Sequence, residues 1–421
     1  MSKLKVENFG PITTGYAEEG GFMDFRKVTV FIGSQGSGKS SVAKLFTTMN
    51  WLEKALFQGR VTAKFVTSYN RFVRRYCAYM NVENYFRDDT YIEYRGAAAT
   101  LIYQHKKLSV DLQVNTPNYR IPKIMYVPAE RNFLSAVHEP DKLKGLPSAL
   151  LEYWEELRQA QREIGSDGWQ LPIGNVRFEY DKSNRIPWLI SKAAGKVPFR
   201  LRLAEASSGF QSLVPLLLVS RYLTQFIYKE QDASRSEMSA DERRRLREQV
   251  DIILKSKLPL VIQQEALESL TARFRPTTFL NVVEEPEQNL FPTSQRAVLY
   301  ELLGYANTMP ANELVITTHS PYILNYLTLA IQANEVKQTI RAVAVPHKLE
   351  QRLQAIVPLG ATLAADQAVV YALNSVGAIT RLPMDDNIPS DDNDLNNALG
   401  EANARFSDLL EIELDAENAQ A

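Results

Sequence analysis

The chain has 421 residues, 45% of them hydrophobic, with 48 Lys and Arg against 49 Asp and Glu for a formal net charge of −1. That length carries either one elaborated domain or two or three ordinary ones, and the composition is that of a soluble globular protein. The single cysteine, Cys77, excludes an internal disulfide and a cysteine-based zinc site and suits a reducing cytoplasm. The start, Met-Ser-Lys-Leu-Lys-Val-Glu, has no apolar signal core, and the most apolar run, Leu213–Val219, is too short to span a bilayer. A cytoplasmic protein without a membrane partner is the expectation. The near-neutral total conceals two opposed segments. Residues 51–80 hold six Lys and Arg against Glu53 alone, and residues 385–421 hold eleven Asp and Glu against Arg405 alone.

In chain order, Leu4–Phe9 reads as a short strand. Lys27–Ile32, apolar and β-branched, reads as a second and runs straight into Gly33. Ser40–Trp51 has helical spacing, with Val42, Leu45, Phe46 and Met49 on one face. Residues 52–120 are aromatic and basic without a recognisable motif. Lys123–Val127 reads as a buried strand ended by Pro128, and Leu146–Gln161 as a helix. Val176–Tyr180 and Phe199–Leu203 read as strands, and Ser212–Tyr228 as a strongly apolar helix. Lys229–Arg275 reads as charged and helical, with Ser239 as an N-cap. Phe279–Val283 and Glu313–Thr317 are apolar enough to be buried on both faces, as in a parallel sheet. Beyond Ala342–Val345 strand character is lost, and Asp391–Leu414 reads as a final amphipathic helix. There is no internal repeat, heptad array or low-complexity tract.

Four motifs carry chemistry. The first is Gly33-Ser34-Gln35-Gly36-Ser37-Gly38-Lys39-Ser40, followed by Ser41. Its glycines let backbone N–H groups turn inward around phosphates, Lys39 can reach the β- and γ-phosphates, and the Ser40 hydroxyl can ligate Mg²⁺. A strand before the loop and a helix after it are the context such a loop needs; the helix directs its positive end at the same phosphates. The second is the apolar strand that ends in Glu284-Glu285-Pro286-Glu287. One acid can hold the Mg²⁺ water shell and the next can orient or deprotonate an attacking water. The third is the strand Leu314–Thr318 leading to His319-Ser320-Pro321, where the imidazole can meet a γ-phosphate. The fourth is Ser207-Ser208-Gly209 ahead of the apolar helix, which alone would read as an ordinary N-cap turn.

The order of these motifs resembles that of ABC-type ATPases. The Lys5–Ile12 start, Glu284–Glu287 and Thr318–Pro321 are similar to the branch of OLD-like, RecF-like and SMC-like ATPases. The resemblance covers residues 1–50, 121–135, 199–225 and 277–325 well. It implies an α/β P-loop head with a mixed central sheet, helical and aromatic insertions and a helical C-terminal extension. The head would span 1–330, with insertions near 52–120, 140–198 and 229–275, and the extension 331–421. ATP and Mg²⁺ would be the cofactors. Gly33 to Ser41 would hold the nucleotide, and Ser40 and Glu284 the metal. Glu285 would be the catalytic carboxylate and His319 the switch histidine. Ser207, Ser208 and Gly209 would cap the ATP of a second copy.

Lys123–Arg131 looks like the strand that ends in the family's Q-loop glutamine, but Ala129 and Glu130 stand in its place. Either Glu130 substitutes at the metal or another residue completes the shell. Asn289 and Phe291 depart from the His-Leu-His that often follows Glu-Pro-Glu, which leaves the D-loop role open.

Two absences narrow the branch. No long heptad segment lies between Glu130 and Glu205, and the roughly 100 residues after His319 are too few for a TOPRIM nuclease domain. What remains resembles the stand-alone ATPase subunits of bacterial anti-phage systems such as PARIS and Septu. That implies a self-associating regulatory ATPase with a separate effector protein, a nuclease or toxin. A RecF-like DNA maintenance ATPase is the alternative, and a small-molecule kinase ranks last.

The interleaved Lys64, Phe65, Tyr69, Arg71, Phe72, Arg74, Arg75, Tyr76 and Tyr79 can grip nucleic acid, but an amphipathic helix or protein-binding surface is the preferred reading. The acidic C-terminal segment is a candidate intermolecular counterpart. Asp391–Asp394 reads as a solvated helix start, with metal binding the lesser option.

Overall fold

The structure is a computed structural model that describes residues 2–113, 116, 119–137, 139–191, 198–232, 250–251, 254–255, 263, 267, 270, 274–341 and 347–418. Strands β1 (Lys3–Phe9), β2 (Gly15–Tyr16), β3 (Met23–Asp24) and β4 (Val28–Gly33) precede helix α1 (Lys39–Phe57). Then come β5 (Phe86–Arg95), β6 (Ala99–Gln104), β7 (Lys107–Leu112), β8 (Pro122–Val127) and helix α2 (Ser148–Arg162). Next are β9 (Trp169–Gln170), β10 (Val176–Asp181), β11 (Ile186–Ser191), β12 (Phe199–Arg202) and helix α3 (Ser208–Asp232). The chain continues through β13 (Thr278–Glu284), α4 (Pro292–Asn307), β14 (Glu313–Thr318), α5 (Pro321–Arg341) and α6 (His347–Ile356). It closes with β15 (Ala368–Leu373), β16 (Ala378–Arg381) and α7 (Asp394–Asn418).

A central sheet of seven described strands has the order β2-β16-β15-β4-β14-β13-β8. The five strands from β15 to β8 run parallel. β16 is antiparallel to β15, so the sheet is mixed. β4 and β13 are buried along their whole length, as strands covered on both faces must be. Val28, Val30 and Ile32 face a core shared with α3, α4 and α5. Phe31 faces a second core built on Val42, Leu45, Phe46 and Met49 of α1. The α/β head with a mixed sheet and a helical C-terminus is the expected fold class.

Three expectations need correction or fall outside the described residues. Residues 52–120 are not merely a helical, aromatic insertion: β5, β6 and β7 pair with β1 and β3 in an antiparallel sheet ordered β3-β1-β5-β6-β7. Strand character does not end at Val345. β15 pairs with β4 at six positions, from Ala368 opposite Val28 to Leu373 opposite Gly33, so the central sheet continues past the boundary expected at 330. The Ser239 N-cap, most of 229–275 and Ala342–Val345 lie outside the described residues.

The apolar helix is longer than its expected span and carries Pro215 internally. A helical proline cannot donate to the carbonyl four residues back. That carbonyl, on Gln211, instead accepts from Ser135 Oγ at 2.7 Å.

Because β15 is a full neighbour of β4, a chain ended after Arg341 should lose cooperative thermal unfolding, whereas one ended after Asp392 should keep it. Circular dichroism melts of the two truncations check this; a cooperatively melting short form would contradict the shared sheet.

Candidate nucleotide site

The carboxyl ends of β4, β14, β13 and β8 lie side by side, and each delivers one motif to the same sheet edge. β4 opens into the glycine loop. Gly33 has φ 143° there, and a Cβ on it would stand 2.2 Å from the Leu373 carbonyl oxygen of β15, so no larger residue fits. Lys39 is buried, and its Nζ donates to the Gly33 and Ser34 carbonyls at 2.8 Å each. Burial lowers its pKa, against the pull of Glu285, Glu287 and Glu284. Ser34, Gln35 and Gly36 are exposed, and a Cβ on Gly36 would meet nothing within 4 Å. Ser40 is half-buried and Ser41 buried in the first turn of α1.

β13 brings Glu284, buried, and Glu285, half-exposed, to the same edge. Glu285 is left-handed at φ 43°, a conformation that costs an L-residue energy and marks functional turns. Its N–H donates to the Thr317 carbonyl at 2.8 Å, locking it to β14. The His319 Nδ1 lies 3.5 Å from Glu285 Oε1 and 3.5 Å from Glu287 Oε1. The His319 imidazole lowers the Glu285 pKa against its burial, and Glu285 in turn raises that of His319. Glu285 is therefore held ionised, in the form that can take a proton from water.

Two residues escaped the sequence reading. Glu287 is buried, and its Oε1 accepts from Thr318 Oγ1 at 2.7 Å and from the His319 N–H at 2.9 Å, which positions the histidine. Burial raises its pKa. Arg131 is fully buried in the short turn after β8. Its Nη1 donates to the Glu284 carbonyl at 2.7 Å and to the Pro128 carbonyl at 3.2 Å. Its Nη2 donates to the Glu285 carbonyl at 2.7 Å and its Nε to the Ser212 carbonyl of α3 at 3.2 Å. The only sequence signal was its place after Pro128-Ala129-Glu130, where a lone arginine usually reads as solvated.

Glu130 is exposed one residue past Ala129, whose N–H reaches Glu284 Oε2 at 3.4 Å, so it sits at the same strand end. Ser207 and Ser208 are exposed at the start of α3, and no hydrogen bond joins them or Gly209 to the glycine loop among the described residues. Gly209 instead packs on the turn after β13, where a Cβ would stand 2.9 Å from the Asn289 carbonyl oxygen. The structure thus gathers the loop, Glu284, Glu285 and His319 and leaves Ser207 and Ser208 exposed at the start of α3.

The edge fits a phosphate-bound cation in its donor set. Ser37 Oγ and Thr317 Oγ1 are buried without a hydrogen-bond partner among the described residues. No group of three or more His, Cys, Asp and Glu that could hold a metal ion is found among the described residues. Asp391–Asp394 holds no such group either: the Asn393 side chain caps α7 by accepting from the Leu395 and Asn396 N–H groups.

The basic segment splits. Phe72, Val73 and Tyr76 are buried, whereas Tyr69 is 84% exposed. No helix among the described residues is long and apolar enough to cross a membrane.

No family model matches the chain, and no curated protein matches it. Among solved structures it is similar to the SMC head domain from Thermotoga maritima, at TM-score 0.34 and 11% identity, over 77% of this chain and 90% of that one. An SmcHead bound to the C-winged helix domain of ScpA matches at TM-score 0.33 and 12% identity, over 77% and 90%. An Smc head domain bound to the C-terminal domain of ScpA derived from Pyrococcus furiosus matches at TM-score 0.32 and 12% identity, over 77% and 92%.

Replacing Arg131 with Met removes the guanidinium bonds to the Pro128, Ser212, Glu284 and Glu285 carbonyls. It should cost about 3 kcal/mol of stability, read by urea denaturation. An unchanged midpoint would show that these contacts carry no weight.

Proposed function

We propose that the chain is an ATP-binding and ATP-hydrolysing regulatory subunit whose ATP is sandwiched between two copies. The observation that carries this is the split of the four motifs: three converge on one sheet edge, while the fourth leaves Ser207 and Ser208 exposed at a helix N-terminus, where backbone N–H groups favour an anion. The Gly33–Ser41 loop with Lys39 would hold the triphosphate, and Ser40 and Glu284 would hold Mg²⁺, with Glu130 in reach of the same shell. The cation would neutralise charge on the phosphates as the bond breaks. Glu285 Oε1 would accept a proton from the attacking water, held ionised by its histidine partner. His319, fixed from behind by Glu287, would meet the γ-phosphate with its exposed edge.

On this reading ATP is a switch on assembly. The resemblance to PARIS- and Septu-type subunits suggests the biological setting, a defence complex that restrains or releases a separate effector. The DNA-maintenance alternative leans on Arg71, Arg74 and Arg75. It is weakened because two of the five accompanying aromatics, Phe72 and Tyr76, are spent on the core.

Glu285→Gln should retain ATP binding, lower kcat by about 10²–10⁴-fold and trap a dimer in ATP, whereas Lys39→Ala should lose binding and dimer alike. Light scattering of both variants with and without ATP reads the outcome, and identical oligomeric states in ATP would refute the proposal.

A further inference from the structure

Helix α7 runs for 25 residues, and from Leu399 onward every described residue on it is exposed. Leu399, Phe406, Leu409, Leu410 and Ile412 are between 46% and 64% exposed. A soluble chain rarely leaves such a stripe bare unless something docks on it. The same stretch exposes Glu401, Asp408, Glu411 and Glu413, and Arg405 is already paired to Glu401. Phe406, Leu409 and Leu410 stand at the i, i+3, i+4 spacing with which an amphipathic helix anchors in a groove.

The flank of α1 supplies such a groove. A cavity of about 710 Å³ there is lined in part by Trp51, Phe65, Arg75, Tyr76 and Tyr79. A space of this size is within the roughly 300–1,000 Å³ that takes a compact apolar group. Phe65 lines it and is exposed, and the Arg71 guanidinium lies 4.0 Å from the Phe65 ring centre and 5.0 Å from that of the exposed Tyr69. Lys64, Arg74 and Arg75 are exposed beside it. Its nearest acid, Glu152, is engaged by the Tyr79 hydroxyl at 2.5 Å. The segment turns through a π-helical stretch, Phe72–Cys77, a rare geometry that gathers at functional surfaces.

We propose that α7 of one copy docks into this groove on a second copy, with Phe406 and Leu410 in the cavity and Asp408 and Glu411 against Arg71, Arg74 and Arg75. Among the described residues both surfaces stay bare, and the match of an acidic apolar stripe to a basic aromatic groove points to a second copy as the occupant. Pairing of two α7 helices with each other would cover the apolar stripe but would set acid against acid. Nucleic acid would satisfy the arginines but leave α7 uncovered. The contact joins unlike surfaces, so repetition closes a ring or extends a filament. It uses none of the residues assigned to ATP.

The test uses the full chain in a Lys39→Ala background, so that loss of ATP-driven pairing cannot affect it. One preparation carries Tyr69→Cys and a size tag, the other Leu410→Cys; the native Cys77 is buried. A short bis-maleimide should give a mixed-chain product that falls at least tenfold on adding Phe406→Asp to the Leu410→Cys chain, and falls with rising salt. Reversing Arg71, Arg74 and Arg75 to Glu should abolish the product. Asp408→Lys with Glu411→Lys on the partner should restore it. Cross-links only between two Leu410→Cys chains would assign α7 to itself and overturn the proposal. So would the absence of a mixed product together with arginine-dependent binding of duplex DNA, or a product unchanged by the charge reversals.

Discussion

A guanidinium buried away from water is the constraint on which the site depends. Taking a charge out of water costs several kcal/mol, and Arg131 is fully inside the protein. Four backbone carbonyls, from Pro128, Ser212, Glu284 and Glu285, offset that cost. They belong to three separate pieces of chain: the turn after β8, the first turns of α3 and the end of β13. One side chain therefore fixes where the two acids of β13 stand relative to the helix that presents Ser207–Gly209. It also lies next to the strained Glu285, whose positive φ survives because its N–H and C=O are both held. A displacement of α3 by a second copy's nucleotide would be felt first at these carbonyls.

Around that anchor the charges form a graded set. Glu287 is deepest and serves by accepting hydrogen bonds rather than by carrying charge outward. Glu285 and His319 are half-exposed and stabilise each other's ionised forms. Lys39 closes the loop by bonding to its own carbonyls, although the nearby acids favour its charge. An incoming polyphosphate would find a lysine, an open glycine loop and an acid whose pKa its histidine partner lowers.

The parts of the fold legible in sequence were those whose physics is local. A β-branched run into a glycine loop and then a helical face marks β4 and α1, and the all-apolar runs of β13 and β14 mark strands buried on both faces. β15, Ala-Val-Val-Tyr-Ala-Leu, carries the same kind of signal. It was lost because a short apolar run arriving after two helices is not distinguishable by period from a buried helical turn. The alternation in β5 and β6 was masked by the charge of its surroundings. Within the site, Gly33–Ser40, Glu284, Glu285 and His319 were visible because chain order relates them. Arg131 and Glu287 were not, since a buried charge is defined by which carbonyls and N–H groups surround it, and that is tertiary information. The opposite charges of the basic segment and the acidic tail were legible in the sequence, while the groove and the bare apolar stripe needed the structure.

The central claim, that one ATP is completed by residues of two copies, is tested most directly by mixing two inactive chains. Lys39→Ala keeps Ser207–Gly209 intact, and Ser208→Arg keeps the phosphate loop intact, so each alone should lack ATPase activity. A mixed dimer would contain one complete site, built from the loop of one chain and the helix start of the other. Recovery of ATP hydrolysis on mixing, to a substantial fraction of the unmodified rate, is the predicted result. Two chains that stay inactive together, or a Ser208→Arg chain that hydrolyses ATP by itself at the unmodified rate, would contradict it.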